Sequence, residues 1–206
     1  MSADLHLHTT ESDGTWTPEE LVQEAARRKL TIIAITDHDT TAGIAAAQRQ
    51  APQELEVIAG IELSTSFPAS QDEIHILGYW IDPQAPNLQQ NLKNLRKSRI
   101  ERAQLILNKL GKLGIELQYE EVLRFATREI VSRSHIASAL QAKGVVATKQ
   151  EAFVKYIGLG APAYVERHKL HPELAIEIIL SVGGVPVLAH PGLMKEINTI
   201  PTLAAA

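Results

Sequence analysis

Two histidines stand one residue apart near the start of the chain, in the run Asp4-Leu5-His6-Leu7-His8. Alternate side chains of a β-strand share a face, so a strand here projects both imidazoles to one side and both leucines to the other, apolar side. Two imidazoles on one face form half of a metal site, and Asp4, on the same face, can orient an imidazole by accepting its second ring N–H. The alternative for an isolated pair of this kind is two surface histidines on an edge strand.

Further residues with metal-binding side chains follow, and most of them stand where a predicted strand ends. They are Asp13, His38, Glu62, His75, His135 and His190. This repetition favours a metal centre over scattered surface histidines. Imidazole and carboxylate without thiolate suit manganese, iron or zinc, and a carboxylate between two ions forms a clamp for phosphoryl chemistry in which a metal-activated hydroxide is the nucleophile. The sequence has no Walker loop and no Ser-His-Asp or Cys-His arrangement that favours another chemistry.

The composition excludes several classes of protein. The chain has no cysteine, so it has neither a disulfide framework nor a zinc knuckle built on cysteine. A formal net charge of -4 gives no overall basic field that attracts nucleic acid, although a local basic patch remains open. No apolar run approaches the ~20 residues that span a bilayer, and the first residues do not resemble a signal peptide. We expect a soluble cytoplasmic protein that has no membrane partner.

The segments between the candidate ligands predict alternating strands and helices. In order, they are a helix from Thr17, a strand at residues 30–36, a helix at 40–50, and strands at 56–61 and 74–80. Thr17 and Glu20 form a capping box at the start of the first helix, and the apolar, β-branched runs are typical of buried parallel strands. This order indicates βαβ units, and in barrels built from such units the chemistry lies at the C-terminal ends of the strands.

The alternation breaks after Pro83 and resumes near the end of the chain. Long helical patterns fill the middle, and a helix from Pro172 followed by a strand at residues 185–189 then leads to His190. We therefore predict three segments: residues 1–87 as the first part of a barrel, 88–166 as a helical insertion, and 167–206 as a continued, incomplete barrel. Only five strands are predicted, whereas a closed barrel usually has eight and takes ~250 residues.

Six short motifs together resemble those of a known family. They are Asp4-x-His6-x-His8, Thr36-Asp37-His38-Asp39, Gly60-Ile61-Glu62, His75-Ile76-Leu77-Gly78-Tyr79, Arg133-x-His135 and Leu188-Ala189-His190-Pro191. In this order the motifs resemble the polymerase and histidinol phosphatase (PHP) family over residues 2–192. The helical insertion is similar to that of stand-alone metal-dependent phosphoesterases that act on nucleotides. The resemblance implies an α/β fold, a distorted (β/α)7 PHP barrel with a helical insertion, here truncated before its last strands.

The resemblance also implies a cluster of two or three divalent metal ions, with manganese expected and zinc or iron as alternatives. His6, His8 and Glu62 hold one ion in this scheme. Glu62 bridges to a second ion, which His75 and His190 also hold, and Glu62 and His190 are the catalytic residues. A third ion belongs to the remaining ligands, Asp13 and His38.

Three residues are assigned to substrate instead of metal. His190 ends a barrel strand whereas His135 lies in the insertion, so His190 is preferred as the ligand and His135 is placed with Arg133 as a phosphate contact. Arg167 is the third substrate-binding residue, because a guanidinium fork matches a phosphate. The alternative for either arginine is a solvated surface residue.

The resemblance implies a metal-dependent phosphoesterase. It would hydrolyse phosphate from 3′,5′-bisphosphonucleotides, nucleoside monophosphates or the 5′ ends of short RNA, so its partners are phosphorylated small molecules or short oligonucleotides. Family members normally end their site with an Asp-x-His pair, which nothing after His190 supplies. We therefore expect either a fragment of a longer protein or an open barrel edge covered by another body, such as a second copy of the chain.

Three alternatives stay open at this point. One is an impaired fragment that binds metal or nucleotide without turnover. Another is a phosphatase of the histidinol-phosphate type, against which the long insertion argues. The third is a proofreading module of a polymerase, which needs a polymerase region that this chain does not contain.

Overall fold

The apolar runs of the sequence form the strands of one five-stranded sheet. The strands are β1 (Ala3–Leu7), β2 (Ile32–Ile35), β3 (Glu56–Thr65), β4 (Ile74–Tyr79) and β5 (Val185–Leu188), and they lie in this order in the sheet. The first three strands are parallel, whereas β4 is antiparallel to β3 and β5 is antiparallel to β4. The connection from β3 to β4 is too short for a crossover helix, so these two strands pair as a hairpin does.

The computed structural model describes residues 2–67, 74–126, 131–166, 170–193 and 203. By their contacts the residues divide into two units. The first unit comprises Met1–Lys93 and Lys169–Ala206, and the second comprises Asn94–His168. None of the described helices is long and apolar enough to cross a membrane.

The first unit carries helices α1 (Pro18–Arg27), α2 (Ile44–Gln50) and α7 (Pro172–Ser181) beside the sheet. The predicted capping box is present in α1: the Thr17 hydroxyl accepts from the backbone N–H of Glu20 at 3.2 Å, and the Glu20 carboxylate accepts from the backbone N–H of Thr17 at 2.8 Å. Apolar side chains of β2, β3 and β4 are buried, and the alternation of strand and helix confirms an α/β fold.

The second unit is helical and has its own apolar core. Its elements are α3 (Pro86–Lys112, whose first residues belong to the first unit), α4 (Tyr119–Leu123), α5 (Arg133–Ala142), α6 (Lys149–Ala152) and a π-helical turn (Phe153–Ile157). The core contains the fully buried side chains of Ile106, Leu110, Val122, Ile136 and Leu140. α3, α4 and α5 fall where the sequence predicts helical patterns, whereas α6 and the π-helical turn are not predicted.

Strand β1 contains a bulge between Asp4 and Leu7, in the stretch that includes the candidate ligand His6. Asp4 pairs with Ile33 and Leu7 pairs with Ile35, so β1 advances by one residue more than β2. The backbone oxygen of Leu5, inside the bulge, accepts a hydrogen bond of 2.9 Å from the Tyr79 hydroxyl of β4. Bulges occur next to active sites, where they change the direction of a side chain.

Two glycines allow a test of the packing. An added Cβ at Gly60, in β3, would lie 2.9 Å from the backbone oxygen of Ile35, whereas an added Cβ at Gly111, in α3, would meet nothing within 4 Å. We expect Gly60→Ala to lower the free energy of unfolding by about 1–3 kcal/mol through overpacking. Gly111→Ala should raise it by up to about 1 kcal/mol through helix propensity. Urea unfolding measures both, and a Gly60→Ala variant as stable as the parent would contradict the packing described.

Candidate metal centre

Neighbouring strands deliver the candidate ligands to one place. His6 and His8 come from the end of β1, His38 follows β2, Glu62 lies in β3, and His75 begins β4. An isolated parallel bridge between His38 and Glu62 continues the pairing of β2 with β3 beyond the end of β2. The sequence predicts that Glu62 stands at the end of its strand. In the structure Glu62 lies within β3, because β3 continues to Thr65 in its pairing with β4.

One oxygen of a buried carboxylate faces the ligands of β1 and β2. The side chain of Glu62 is 1% exposed. Its Oε2 atom lies 3.0 Å from His6 Nε2, 3.1 Å from His8 Nε2 and 3.3 Å from His38 Nδ1. Three imidazoles from two neighbouring chain segments therefore meet at a single oxygen.

The other oxygen of the same carboxylate faces a second pair of imidazoles. Glu62 Oε1 lies 2.9 Å from His75 Nδ1 and 3.2 Å from His190 Nε2, and these two ring nitrogens are 3.2 Å apart. His190, which follows β5, has a positive φ of 29°. The structure thus brings together the residues that the sequence assigns to two ions, with Glu62 between them.

The exposed carboxylate of Asp13 completes a third group. Its Oδ1 atom lies 3.3 Å from His8 Nδ1 and its Oδ2 atom lies 3.7 Å from His38 Nε2. Sets of described residues whose ligand atoms all lie within 4.8 Å of one another include His6 with His8 and Glu62, His8 with Asp13 and His38, and His38 with Glu62 and His75. His38 thus lies between the group of Asp13 and the group of Glu62.

The donor set fits a divalent metal ion. Ligand atoms that are each about 2.1 Å from one ion lie roughly 3–3.5 Å apart, as do the nitrogen and oxygen atoms around Glu62. The Nδ1 atom of His38 is buried and makes no hydrogen bond within the described part of the chain. Imidazole and carboxylate donors without thiolate bind manganese, iron and zinc alike. The cluster supports divalent metal binding, and its chemistry leaves the identity of the metal open.

Burial and charge shift the pKa values of three of these groups. Burial alone would raise the pKa of Glu62, but hydrogen bonds from His75 and His8 outweigh it and hold that pKa well below its usual range. Burial likewise opposes the charge on His8, yet the hydrogen bond to Glu62 and the negative charges of Glu62 and Asp13 raise the pKa of His8. For His38 burial dominates and lowers the pKa. Glu62 is therefore ionised at neutral pH, and the imidazoles differ in how readily they accept a proton.

Acidic residues near the ligands hold the backbone in place. The Asp4 carboxylate accepts from the backbone N–H of His6 at 3.4 Å, and this bond replaces the expected one to an imidazole because the bulge in β1 interrupts the alternation of side chains. Asp39, which has a positive φ of 53°, accepts from the backbone N–H of Ser64 at 3.0 Å. Asp39 therefore links the segment that carries His38 to β3, a role that local sequence does not reveal.

The residues assigned to substrate lie apart from this cluster in the chain. Arg133 belongs to the second unit, where its guanidinium carbon is 5.6 Å from the ring centre of Phe153 and 5.8 Å from that of Tyr164. His135 Nδ1 accepts from the backbone N–H of Ser132 at 3.2 Å at the start of α5. Arg167 lies outside the described residues. Phosphate binding by these three residues stays a prediction.

Comparison with known proteins decides the family. The PHP domain matches residues 4–179. The chain belongs to the PHP domain family. The predicted resemblance is thus confirmed, and the distorted barrel of that family accounts for a sheet whose strands place their ligands together.

Two curated relatives of this PHP chain act on different phosphate esters. The chain is 38% identical over 191 residues to a 3′,5′-nucleoside bisphosphate phosphatase of Chromobacterium violaceum, covering 92% of the chain and 66% of the relative. It is 41% identical over 192 residues to the 5′-3′ exoribonuclease Rnm of Salmonella typhimurium, covering 92% of the chain and 65% of the relative. The chain therefore spans just under two thirds of the length of these relatives.

Solved structures support the fold assignment. An amidohydrolase from Chromobacterium violaceum, solved with sulfate and no metal, superposes with a TM-score of 0.84 at 34% identity, covering 100% of this chain and 74% of that one. A Bifidobacterium adolescentis protein proposed as a metal-dependent phosphoesterase gives a TM-score of 0.83 at 29% identity, with the same coverage.

We expect metal uptake to strengthen between about pH 6 and about pH 8, because protons and metal ions compete for the same imidazole nitrogens. The pKa of His8 lies above its usual value, so His8 carries a proton at the lower pH and must release it to bind an ion. Titration calorimetry with Mn²⁺, in buffers of different ionisation enthalpy, measures both the affinity and the protons released.

The matched control for this experiment is His171→Ala. His171 is a partly exposed histidine of the same unit that pairs with Glu173 at 3.5 Å, outside the cluster. Its substitution should leave the pH profile unchanged. Equal affinity at both pH values, without proton release, would contradict the inclusion of His8 in the centre.

Proposed function

We propose that this chain carries the catalytic centre of a metal-dependent phosphoesterase that hydrolyses phosphate from nucleotides or from the 5′ ends of short RNA. One observation carries the proposal: the two oxygens of the buried Glu62 carboxylate face two separate sets of imidazoles. A carboxylate with ligands on both sides is what a centre with two ions needs. The relatives named above, a bisphosphate phosphatase and an exoribonuclease, support a phosphate ester as substrate.

The proposed roles follow from which oxygen each histidine faces. His6 and His8 hold one ion with Glu62, and His75 and His190 hold a second ion with the same carboxylate. Asp13 and His38 hold a third ion or complete the first site. When bound, such ions polarise phosphoryl oxygens and make water a nucleophile at neutral pH.

The protein groups themselves prepare the centre for an anionic ester. Five imidazoles surround the buried Glu62 carboxylate and Asp13 adds a second carboxylate, so the neutral ligands outnumber the two charged ones and would leave much of the positive charge of the ions uncompensated. A phosphate ester is attracted to such a site. Because Glu62 stays ionised well below neutral pH, protonation of the bridging carboxylate does not limit the centre in that range.

The test of the proposal is Mn²⁺-dependent release of phosphate by the chain as written. The substrates are a 3′,5′-bisphosphonucleotide, a nucleoside monophosphate, a 5′-phosphorylated short RNA and histidinol phosphate. We expect His6→Ala and Glu62→Gln to reduce the rate by at least about 100-fold, because the ions supply several kcal/mol of charge stabilisation. His171→Ala again serves as the histidine control and should keep the parent rate.

The results separate the alternatives that the sequence leaves open. Release from the nucleotides or RNA that is lost in both variants supports the proposal and selects the substrate class. Release from histidinol phosphate alone would instead indicate a phosphatase of the histidinol-phosphate type. Folded, metal-loaded protein that releases nothing from the panel would contradict catalysis by this chain and leave a module that binds without turnover.

A further inference from the structure

A second buried carboxylate lies behind the metal centre and belongs to none of its ligand sets. Asp37, which follows β2 and precedes His38, is 1% exposed. Its Oδ1 atom accepts from the backbone N–H of Thr9 at 2.7 Å and from the Ser12 hydroxyl at 2.6 Å, and its Oδ2 atom accepts from the Thr9 hydroxyl at 2.7 Å. An ionised carboxylate only accepts hydrogen bonds, so all three protons point at Asp37.

The hydrogen bond to Asp37 determines whether the Ser12 hydroxyl acts as a donor or as an acceptor towards its other neighbours. Ser12 Oγ lies 3.4 Å from Asp13 Oδ1 and 3.5 Å from His8 Nδ1, both longer than its 2.6 Å contact with Asp37. The single hydroxyl proton is therefore directed to Asp37, and an oxygen lone pair is left for His8. Asp13 Oδ1, at 3.3 Å from the same His8 nitrogen, is also an acceptor.

Ser12 Oγ and Asp13 Oδ1 are acceptors at His8 Nδ1, and Glu62 Oε2 is an acceptor at Nε2, so both ring nitrogens of a charged His8 have partners for their protons. When Nε2 gives up its proton to an ion, the acceptors at Nδ1 keep the remaining proton there. A neutral imidazole with its proton on Nδ1 has its lone pair on Nε2. His8 Nε2 lies 3.1 Å from Glu62 Oε2, on the side of the proposed ion. The hydrogen bonds around Ser12 thus present the correct nitrogen of His8 to a metal.

The same carboxylate also fixes the loop that carries Asp13. The backbone oxygen of Thr9 accepts from Ser12 N at 3.0 Å and from Gly14 N at 2.9 Å, which closes the loop tightly. A Cβ at Gly14 would lie 2.3 Å from the backbone oxygen of His8, so only glycine fits at this position. Asp37, by holding Thr9 and Ser12, therefore keeps Asp13 beside His8.

We propose that Asp37 is a positioning residue of the metal centre and acts through Ser12 to hold His8 with its Nδ1 protonated and its Nε2 turned towards Glu62. The inference rests on the proposed function in one respect: the ion beside Glu62 is the ion that the proposed function uses. Groups that orient a metal-binding histidine typically change metal affinity by about 10- to 100-fold when they are removed.

The experiment compares Ser12→Ala, Ser12→Thr and Asp37→Asn with the parent chain, without any substrate. Mn²⁺ affinity is measured by calorimetry, and exchange of the His8 Nδ1 proton is measured by NMR of the metal-free protein at mildly acidic pH. We expect Ser12→Ala to weaken Mn²⁺ binding by about 10- to 100-fold and to speed proton exchange roughly tenfold. Ser12→Thr retains the hydroxyl and should restore both properties to within about threefold.

Asp37→Asn should weaken Mn²⁺ binding in the same direction, because an amide has one accepting oxygen and cannot accept from all three donors. The control for simple loss of stability is Thr17→Ala, which removes the cap of the adjacent α1 and does not touch His8. It should lower stability and leave Mn²⁺ affinity and His8 exchange unchanged.

Unchanged affinity and unchanged His8 exchange in folded Ser12→Ala would overturn the proposal, and so would equal effects in Thr17→Ala. The NMR measurement needs neither metal nor turnover. Failure of the proposed function, seen as no phosphate release or no Mn²⁺ binding by the parent chain, is therefore distinguishable from failure of this inference, which the exchange of the His8 proton decides.

Discussion

The ionised carboxylate of Glu62, enclosed within a curved sheet, is the constraint on which the site depends. Burying an uncompensated charge is costly, so such a group needs charged or hydrogen-bonding partners around it. Here five imidazoles from the ends of neighbouring chain segments supply them. The arrangement that provides the carboxylate with hydrogen-bonding partners in the absence of metal also places nitrogen and oxygen ligands where a metal ion can bind. A single side chain therefore links the folding of the sheet to the chemistry of its edge.

The grouping of these residues could be predicted in large part from local sequence, because most of them stand in or next to strands and strands are marked by apolar runs. The features that sequence did not reveal depend on pairing between distant segments. The bulge in β1 redirects Asp4 to the backbone, and the pairing with β4 extends β3 beyond Glu62. The role proposed for Asp37 could not be predicted from the sequence either. Its hydrogen-bond partners, Thr9 and Ser12, are distant in the chain and come together with Asp37 only in the folded structure.

The helical unit enters the chain between two strands that are neighbours in the sheet. β4 ends at Tyr79 and β5 begins at Val185, and the two are hydrogen-bonded along their length. The entropic cost of closing a connection grows only slowly with its length, so a long connection between neighbouring strands is tolerated. A unit of this kind can therefore vary among relatives without disturbing the sheet.

The position of β1 links metal occupancy to the integrity of the first strand. In the described sheet β1 pairs with β2 alone, and its bulge is held from the far side by the Tyr79 hydroxyl. Edge strands open more readily than central ones, and an ion that binds only the closed form favours closure by mass action. An ion bound by His6 and His8, as proposed above, would therefore stabilise the paired form of the N-terminal segment. Removal of such an ion would therefore make fraying of β1 easier while the core of the first unit stays folded.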